Sequence, residues 1–231
     1  MCVLVTESTN LDARVLAGDG APDGTCVVAG EQTGGRGRHG RRWVSDPGAG
    51  LWSSVVVRSG SSAGSAARIP LVAALAVLDA CAQFGAQSLE IKWPNDVLCT
   101  DGRKLAGILA EATPDAIVVG IGINVHAAPS GVPDSACCLV ELGVNADPSE
   151  LLAALLLALY GRLNKPWKEN LADYRQACRT LGSDLHVTLP GGQVVKGVGL
   201  DVDPEGHLLV KTGQTVQTII AGDVLHATIA P

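Results

Sequence analysis

Thr33-Gly34-Gly35-Arg36-Gly37-Arg38-His39-Gly40-Arg41-Arg42-Trp43 holds four glycines, four arginines, a histidine and a tryptophan in eleven residues. Guanidiniums this close repel one another, and an anionic ligand would relieve the cost. Glycine lets backbone N–H groups approach a phosphate. Arginine adds forked, permanently charged donors suited to phosphate and carboxylate. Gly35-x-Gly37-x-x-Gly40 formally matches the dinucleotide-binding fingerprint, which requires a strand before it and a helix after it. A strand fits before it, over Cys26 to Glu31. After it comes turn material, Trp43-Val44-Ser45-Asp46-Pro47-Gly48, and then a second strand from Leu51. The Rossmann reading therefore fails on context. The P-loop reading fails because no Lys-Ser or Lys-Thr follows the glycines. An anion-binding loop between two strands remains, with a solvated basic hairpin and a nucleic-acid contact as alternatives.

The chain around this loop has 231 residues and a net charge of −6. That length allows one large domain, or a medium domain with a small one. An acidic balance argues against general nucleic-acid affinity, since such binders carry a basic face. Aromatic residues are few, so Val, Leu, Ile and Ala must fill the core. The seven cysteines are irregularly spaced, without a zinc pattern such as C-x-x-C, and are read as reduced and mostly buried. The longest apolar run, Leu151 to Leu159, is too short to span a bilayer, and no N-terminal signal is seen.

Upstream of the loop, Cys2 to Val5 reads as a short strand. Glu7-Ser8-Thr9-Asn10 follows, then a short helix over Leu11 to Ala17. One polar residue suffices to cap a helix. Three in a row suggest ligand contact as well. Downstream, Leu51 to Arg58 is a strand and Ser59 to Ser65 a surface linker. Leu71, Leu75 and Leu78 mark an amphipathic helix running to about Phe84. In Leu89-Glu90-Ile91-Lys92-Trp93-Pro94-Asn95-Asp96 a strand ends at Trp93 and a turn follows. Asn95 and Asp96 are either plain turn residues or neighbours of a metal-bound phosphate. Asp101-Gly102-Arg103 is a hairpin turn, and Lys104 opens an apolar strand ending at Glu111. Ile117 to Val125 is a long strand whose Gly120 and Gly122 suggest close approach by a ligand or another backbone. Its Asn124 needs hydrogen-bond partners whether it serves the core or a site. Asp147-Pro148-Ser149-Glu150 caps a helix to Leu163, and Pro166 starts another to about Leu181. From Ser183, five short alternating strands with recurring turn signals indicate a small all-β barrel.

In this order, Glu7-Ser8-Thr9-Asn10, Gln32 to Trp43, Lys92-Trp93-Pro94-Asn95-Asp96, Lys104 to Glu111 and Gly120-Ile121-Gly122-Ile123-Asn124 resemble the motifs of the biotin protein ligases. The resemblance covers essentially the whole chain. It implies an α+β fold: a class II aminoacyl-tRNA synthetase-like catalytic domain with a mixed sheet, here 1–182, and an SH3-like domain, here 183–231. It also implies two half-reactions, from biotin and MgATP to biotinyl-5′-AMP, then transfer to a lysine of a biotin carboxyl carrier protein.

Carried over residue by residue, Ser8, Thr9, Asn10 and Gln32 contact biotin. Arg36, Gly37 and Arg38 close over biotin and the adenylate phosphate. Trp43 packs near the adenine, and Lys104 reaches the biotin carboxylate and the reacting phosphate. Lys104, Arg36 and Arg38 are thus the expected catalytic residues. Arg38, Asn95 and Asn124 fall at nucleotide positions and Asp96 at a metal position. His39 and Gly34 replace the commoner Arg and Ala. Some members carry an N-terminal DNA-binding domain, for which no room is left before residue 8. A cytoplasmic ligase without DNA or membrane partners, a monomer or weak dimer, is expected. A lipoate or octanoate ligase is the enzymatic alternative, and the Arg-rich loop favours biotin. A nucleic-acid-binding module is the non-enzymatic one.

Overall fold

The computed structural model describes residues 1–58, 66–130 and 135–226. The linker expected at 59–65 lies outside the described residues. The first 180 residues build a seven-stranded mixed sheet with spatial order β1-β2-β3-β7-β6-β5-β4. Its strands are β1 (Cys2–Thr6), β2 (Cys26–Gln32), β3 (Gly50–Arg58), β4 (Leu89–Lys92), β5 (Asp96–Cys99), β6 (Lys104–Ala112) and β7 (Ala116–Asn124). Only β1 and β2 pair in parallel; every other neighbouring pair is antiparallel.

Alternation along the central strands sends side chains to two faces. On one face Val56 of β3 and Val118 of β7 pack against Ala13 and Ala17 of helix α1 (Thr9–Gly18). On the other face Val55, Val57, Val119, Ile121 and Ile123 join the main core. That core includes helices α2 (Ile69–Gln83), α3 (Pro148–Asn164) and α4 (Trp167–Ala177). Helix α2 is apolar on most sides and not amphipathic as expected: ten of its residues are buried and Asp79, paired with Arg162, is its one charged residue, so it lies inside the core and not along its rim. Asp147 caps α3 by accepting from the backbone N–H of Ser149 at 2.8 Å and Glu150 at 3.3 Å.

Three further sequence expectations need correction. Helix α4 ends at Ala177, short of Leu181. The chain turns extended there and bridges in parallel to Ile91 of β4, with Arg179 N donating to Ile91 O at 2.9 Å. This covers the open edge of the sheet, which outweighs one more helical turn. Strand β4 ends at Lys92, since Trp93 N donates to Thr180 Oγ1 at 3.0 Å and not to a neighbouring strand, and Pro94 has no N–H to give. The cysteines are not all reduced: Cys99 and Cys137 form a disulfide. The pairing joins β5 to a distant segment that lies along β6 through the Lys104↔Ala136 bridge, a proximity that spacing could not reveal.

The remaining strands form a separate antiparallel sheet: β8 (Asp184–Thr188), β9 (Val194–Val202), β10 (Leu208–Thr212), β11 (Thr215–Ile219) and β12 (Asp223–His226), in order β11-β10-β9-β8-β12. Its inward side chains, among them Leu185, Val187, Val202 and Leu208, belong to the same continuous core as the larger sheet. Polar contacts add to the junction. Arg175 of α4 grips Asp201 with two bonds, at 2.6 and 2.8 Å. Trp93 Nε1 donates to Gly206 O at 3.1 Å, and Trp167 Nε1 to Pro204 O at 2.6 Å. The small sheet is thereby docked where its β12 faces the Arg loop.

Candidate active site

A cavity of about 320 Å³ opens on the α1 side of the large sheet. Its inner end is built by α1. Ser8 is the N-cap by backbone conformation, yet its side chain makes no capping bond. Its hydroxyl is buried without a hydrogen-bond partner among the described residues. A buried polar atom left unpaired costs stability, so it marks a place where a ligand completes the set.

Its neighbours are already engaged. Thr9 donates through N and Oγ1 to Gln32 Oε1 at 2.9 and 3.1 Å. Gln32 Nε2 donates to Ser45 Oγ at 2.8 Å. Asn10 Nδ2 donates to Glu111 Oε2 at 2.8 Å, while its Oδ1 accepts from Ser54 Oγ at 2.6 Å. Thr9, Asn10 and Gln32 therefore form a locked polar wall, and Ser8 offers the free group.

Two strand glycines have a more specific role than the sequence suggested. A Cβ on Gly120 would lie 2.2 Å from Asn10 Oδ1, and one on Gly122 only 2.7 Å from the Trp43 ring. A Cβ on Gly107 would meet the same ring at 2.8 Å. The protein's own Asn10 and Trp43 side chains occupy these spaces, so glycine is required for the polar wall and for the indole to lie flat on β6 and β7. Trp43 also meets Trp52 edge-on at 6.2 Å.

The outer end is cationic. Lys104, at the start of β6, holds Asp96 Oδ1 at 2.6 Å and sits 5.2 Å above the Trp43 ring. Lys92 lines the same space, and burial pushes its pKa down, with Asp96 opposing and Lys104 reinforcing the shift. Burial likewise lowers the pKa of Arg38, against the pull of Asp223 and Asp96. A dianion entering here would restore both groups toward their ordinary values.

The Arg loop folds as a hairpin over this end. Arg36 bridges Arg42, Gly37 N donates to Arg41 O at 2.7 Å, and His39 takes positive φ (56°) at the tip. Gly37 thus spends its N–H inside the hairpin. Arg38 donates to Asn95 Oδ1 at 3.1 Å and Gly222 O at 3.3 Å. Arg36 is half-exposed, 3.9 Å from Glu111. Asn95 is pinned to β6 by its Nδ2 bond to Ile108 O, 2.9 Å. Asn124 donates to Cys137 O at 2.9 Å, and its Oδ1 is buried without a partner among the described residues.

Every sequence-named site residue lines this one cavity: Ser8, Thr9, Asn10, Gln32, Arg36, Gly37, Arg38, Trp43, Asn95, Asp96, Lys104 and Asn124. Sequence reasoning did not assign Lys92 or Asp223 to its lining, nor Ser45, Ser54 and Glu111, which hold Gln32 and Asn10 from behind. Ser54 carried a signal, as a polar residue within the apolar run Leu51 to Val57. Asp223 carried none, being 182 residues from its partner Arg41.

The model of the biotin/lipoate A/B protein ligase family matches residues 4–127, and that of the biotin protein ligase C-terminal domain matches 180–226. The chain belongs to the biotin/lipoate A/B protein ligase family. Among relatives of this ligase, the biotin–[acetyl-CoA-carboxylase] ligase of Mycobacterium tuberculosis is 42% identical over 97% of this chain and 87% of its own. The Paracoccus denitrificans protein of the same name is 35% identical over 95% and 97%. A biotin protein ligase from Aquifex aeolicus, solved with biotin and ATP, superposes with a TM-score of 0.83 at 27% identity, covering 98% of both chains.

Proposed function

We propose that the chain is a biotin–[biotin carboxyl carrier protein] ligase whose two half-reactions run in this cavity. The observation that carries it is the cavity's make-up: the buried, unpaired hydroxyl of Ser8, the Trp43 ring and six cations (Arg36, Arg38, Arg41, Arg42, Lys92, Lys104) line one space. That set suits a small neutral head group, a carboxylate and a polyphosphate.

The biotin carboxylate oxygen attacks the α-phosphorus of ATP, and pyrophosphate leaves. The ε-amine of the carrier lysine then attacks the carboxyl carbon of the mixed anhydride. AMP leaves and the amine proton is lost to solvent. Two anions must meet in the first step, so Lys104 and the loop arginines neutralise them. In this reading Ser8, Thr9, Asn10 and Gln32 hold biotin, Trp43 and Asn124 hold the nucleotide, and Arg38 with Asn95 and Gly37 forms the cover that keeps water from the anhydride.

Magnesium belongs to the reading because ATP supplies most of its ligands and the ion neutralises phosphate charge. Among the described residues no group of three His, Cys, Asp or Glu could hold a metal. Of the two carboxylates lining the cavity, Asp223 is paired with Arg41, and Asp96 has one oxygen taken by Lys104. That fits an ion held mainly by phosphates and water, with Asp96 as its protein ligand.

We read the large domain as class II aminoacyl-tRNA synthetase-like and the small sheet as an SH3-like barrel. A cytoplasmic protein acting on a carboxylase carrier domain without DNA, as a monomer or weak dimer, completes the reading. No helix among the described residues is long and apolar enough to cross a membrane. Pyrophosphate release from ATP, measured with biotin, with lipoate and with neither, tests the assignment. Release that requires biotin supports it; release driven by lipoate would replace biotin by the alternative substrate.

A further inference from the structure

We infer that Asp223, on the C-terminal sheet, is a positioning residue that occupies the loop guanidiniums in the nucleotide phosphate's stead and is displaced when nucleotide binds. The inference rests on the reading of the outer cavity as the ATP site. No acidic residue lies between Thr33 and Val44, so the loop's four guanidiniums have no local counter-charge. The fold supplies one from β12. Asp223 Oδ1 accepts from Arg41 Nη2 at 2.6 Å and lies 3.8 Å from His39 Nε2. The adjoining Gly222 carbonyl accepts from Arg38 at 3.3 Å. Asp223, Val224 and Leu225 all line the cavity with Arg38, Arg41, Lys92 and Lys104.

One carboxylate thus meets the tip of the hairpin at the mouth of the cavity, among cations suited to a polyphosphate. Arg41 and Asp223 keep side-chain exposures of 62% and 37%. An ion pair in that setting is weak and salt-screened. It can hold a loop in place, yet it yields to a multiply charged ligand. The same guanidiniums then exchange a carboxylate for phosphate oxygens, with no net loss of paired charge. A carboxylate that remained fixed on Arg41 would oppose ATP binding.

The test uses the full chain carrying Asp223→Asn, Asp223→Glu, Arg41→Gln, and the first and third together. Without ligand, Asp223→Asn should be cut by trypsin within 36–42 faster than wild type. With biotin, ATP and magnesium the two rates should converge. The KM for ATP should fall about twofold to fivefold, the range an exposed ion pair supports. The KM for biotin should hold, and the ATP effect should shrink at high salt. Asp223→Glu should restore wild-type behaviour at least in part. Asp223→Asn should add no loop exposure on top of Arg41→Gln, because the pair is already broken.

A KM for ATP that rises in Asp223→Asn would overturn the inference, since Asp223 would then assist nucleotide binding. Unchanged cleavage without ligand would equally overturn it. If wild-type protein shows neither ATP-dependent protection nor ATP turnover, the nucleotide reading itself fails and the displacement with it. Faster ligand-free cleavage of Asp223→Asn would then show a latch without a nucleotide partner.

Discussion

Replacing Lys104 by Ala should abolish adenylation while leaving the fold intact. Lys104 Nζ holds Asp96 at 2.6 Å and faces the Trp43 ring at 5.2 Å, with its side chain about one-third exposed. Losing so accessible an ion pair should cost roughly 1 kcal/mol of stability or less. For a chain of this size that is a melting shift of about 2–4 °C. The catalytic loss is of another order. Removing a donor aimed at developing negative charge costs about 10²–10³ in rate, or ~2.7–4 kcal/mol. The two effects separate cleanly: a variant still fully folded at assay temperature should release pyrophosphate at least a hundredfold more slowly. Lys104→Met, which retains an unbranched chain beside Trp43, should melt nearer to wild type and be equally inactive. Biotin-dependent pyrophosphate release and a thermal melt are measured side by side. Near-normal release by either folded variant would refute the role given to Lys104.

Arg38→Gly should still make biotinyl-AMP but retain it poorly. The loss of one charge-assisted bond, about 1.5–3 kcal/mol, should speed escape roughly ten- to a hundredfold. Labelling of an unrelated lysine-rich protein should rise accordingly, and labelling no greater than wild type would count against the retention role. Gly122→Ala places a methyl 2.7 Å from the Trp43 ring, so the indole must leave β7. The KM for ATP should rise about tenfold or more, as expected from losing roughly 1.4 kcal/mol of contact, with biotin binding by calorimetry nearly unchanged. Asn170, fully buried on α4, donates to the α3 carbonyl of Arg162 at 2.8 Å. Asn170→Ala should cost about 1–3 kcal/mol by leaving buried polar groups unpaired. The melting point should drop by at least ~2 °C with activity retained at low temperature.

Local pattern made the sheet readable. The apolar runs Leu51 to Val57 and Ile117 to Val125 announced central strands, and the structure buries their valines on both faces. Motif order brought Ser8 through Asn124 to a single cavity because each motif sits at a strand or helix end facing the same side. Long-range choices were not legible. The end of α4 depends on the free edge of β4, and the disulfide depends on how residue 137 returns to β5. Gly120 and Gly122 announced a close approach, but only coordinates show that Asn10 and Trp43 make it. Asp223 looks like an ordinary turn residue until the small sheet docks beside the loop.

The central claim is that this cavity couples biotin activation to transfer onto a carrier lysine. Purified protein is incubated with a biotin carboxyl carrier domain, biotin, ATP and magnesium, and the carrier is weighed by mass spectrometry. One biotinyl group should appear on one lysine, only when biotin and ATP are both present. A carrier that stays unmodified while the enzyme is folded and binds both substrates, or that gains lipoate instead when offered both acids, would contradict the account.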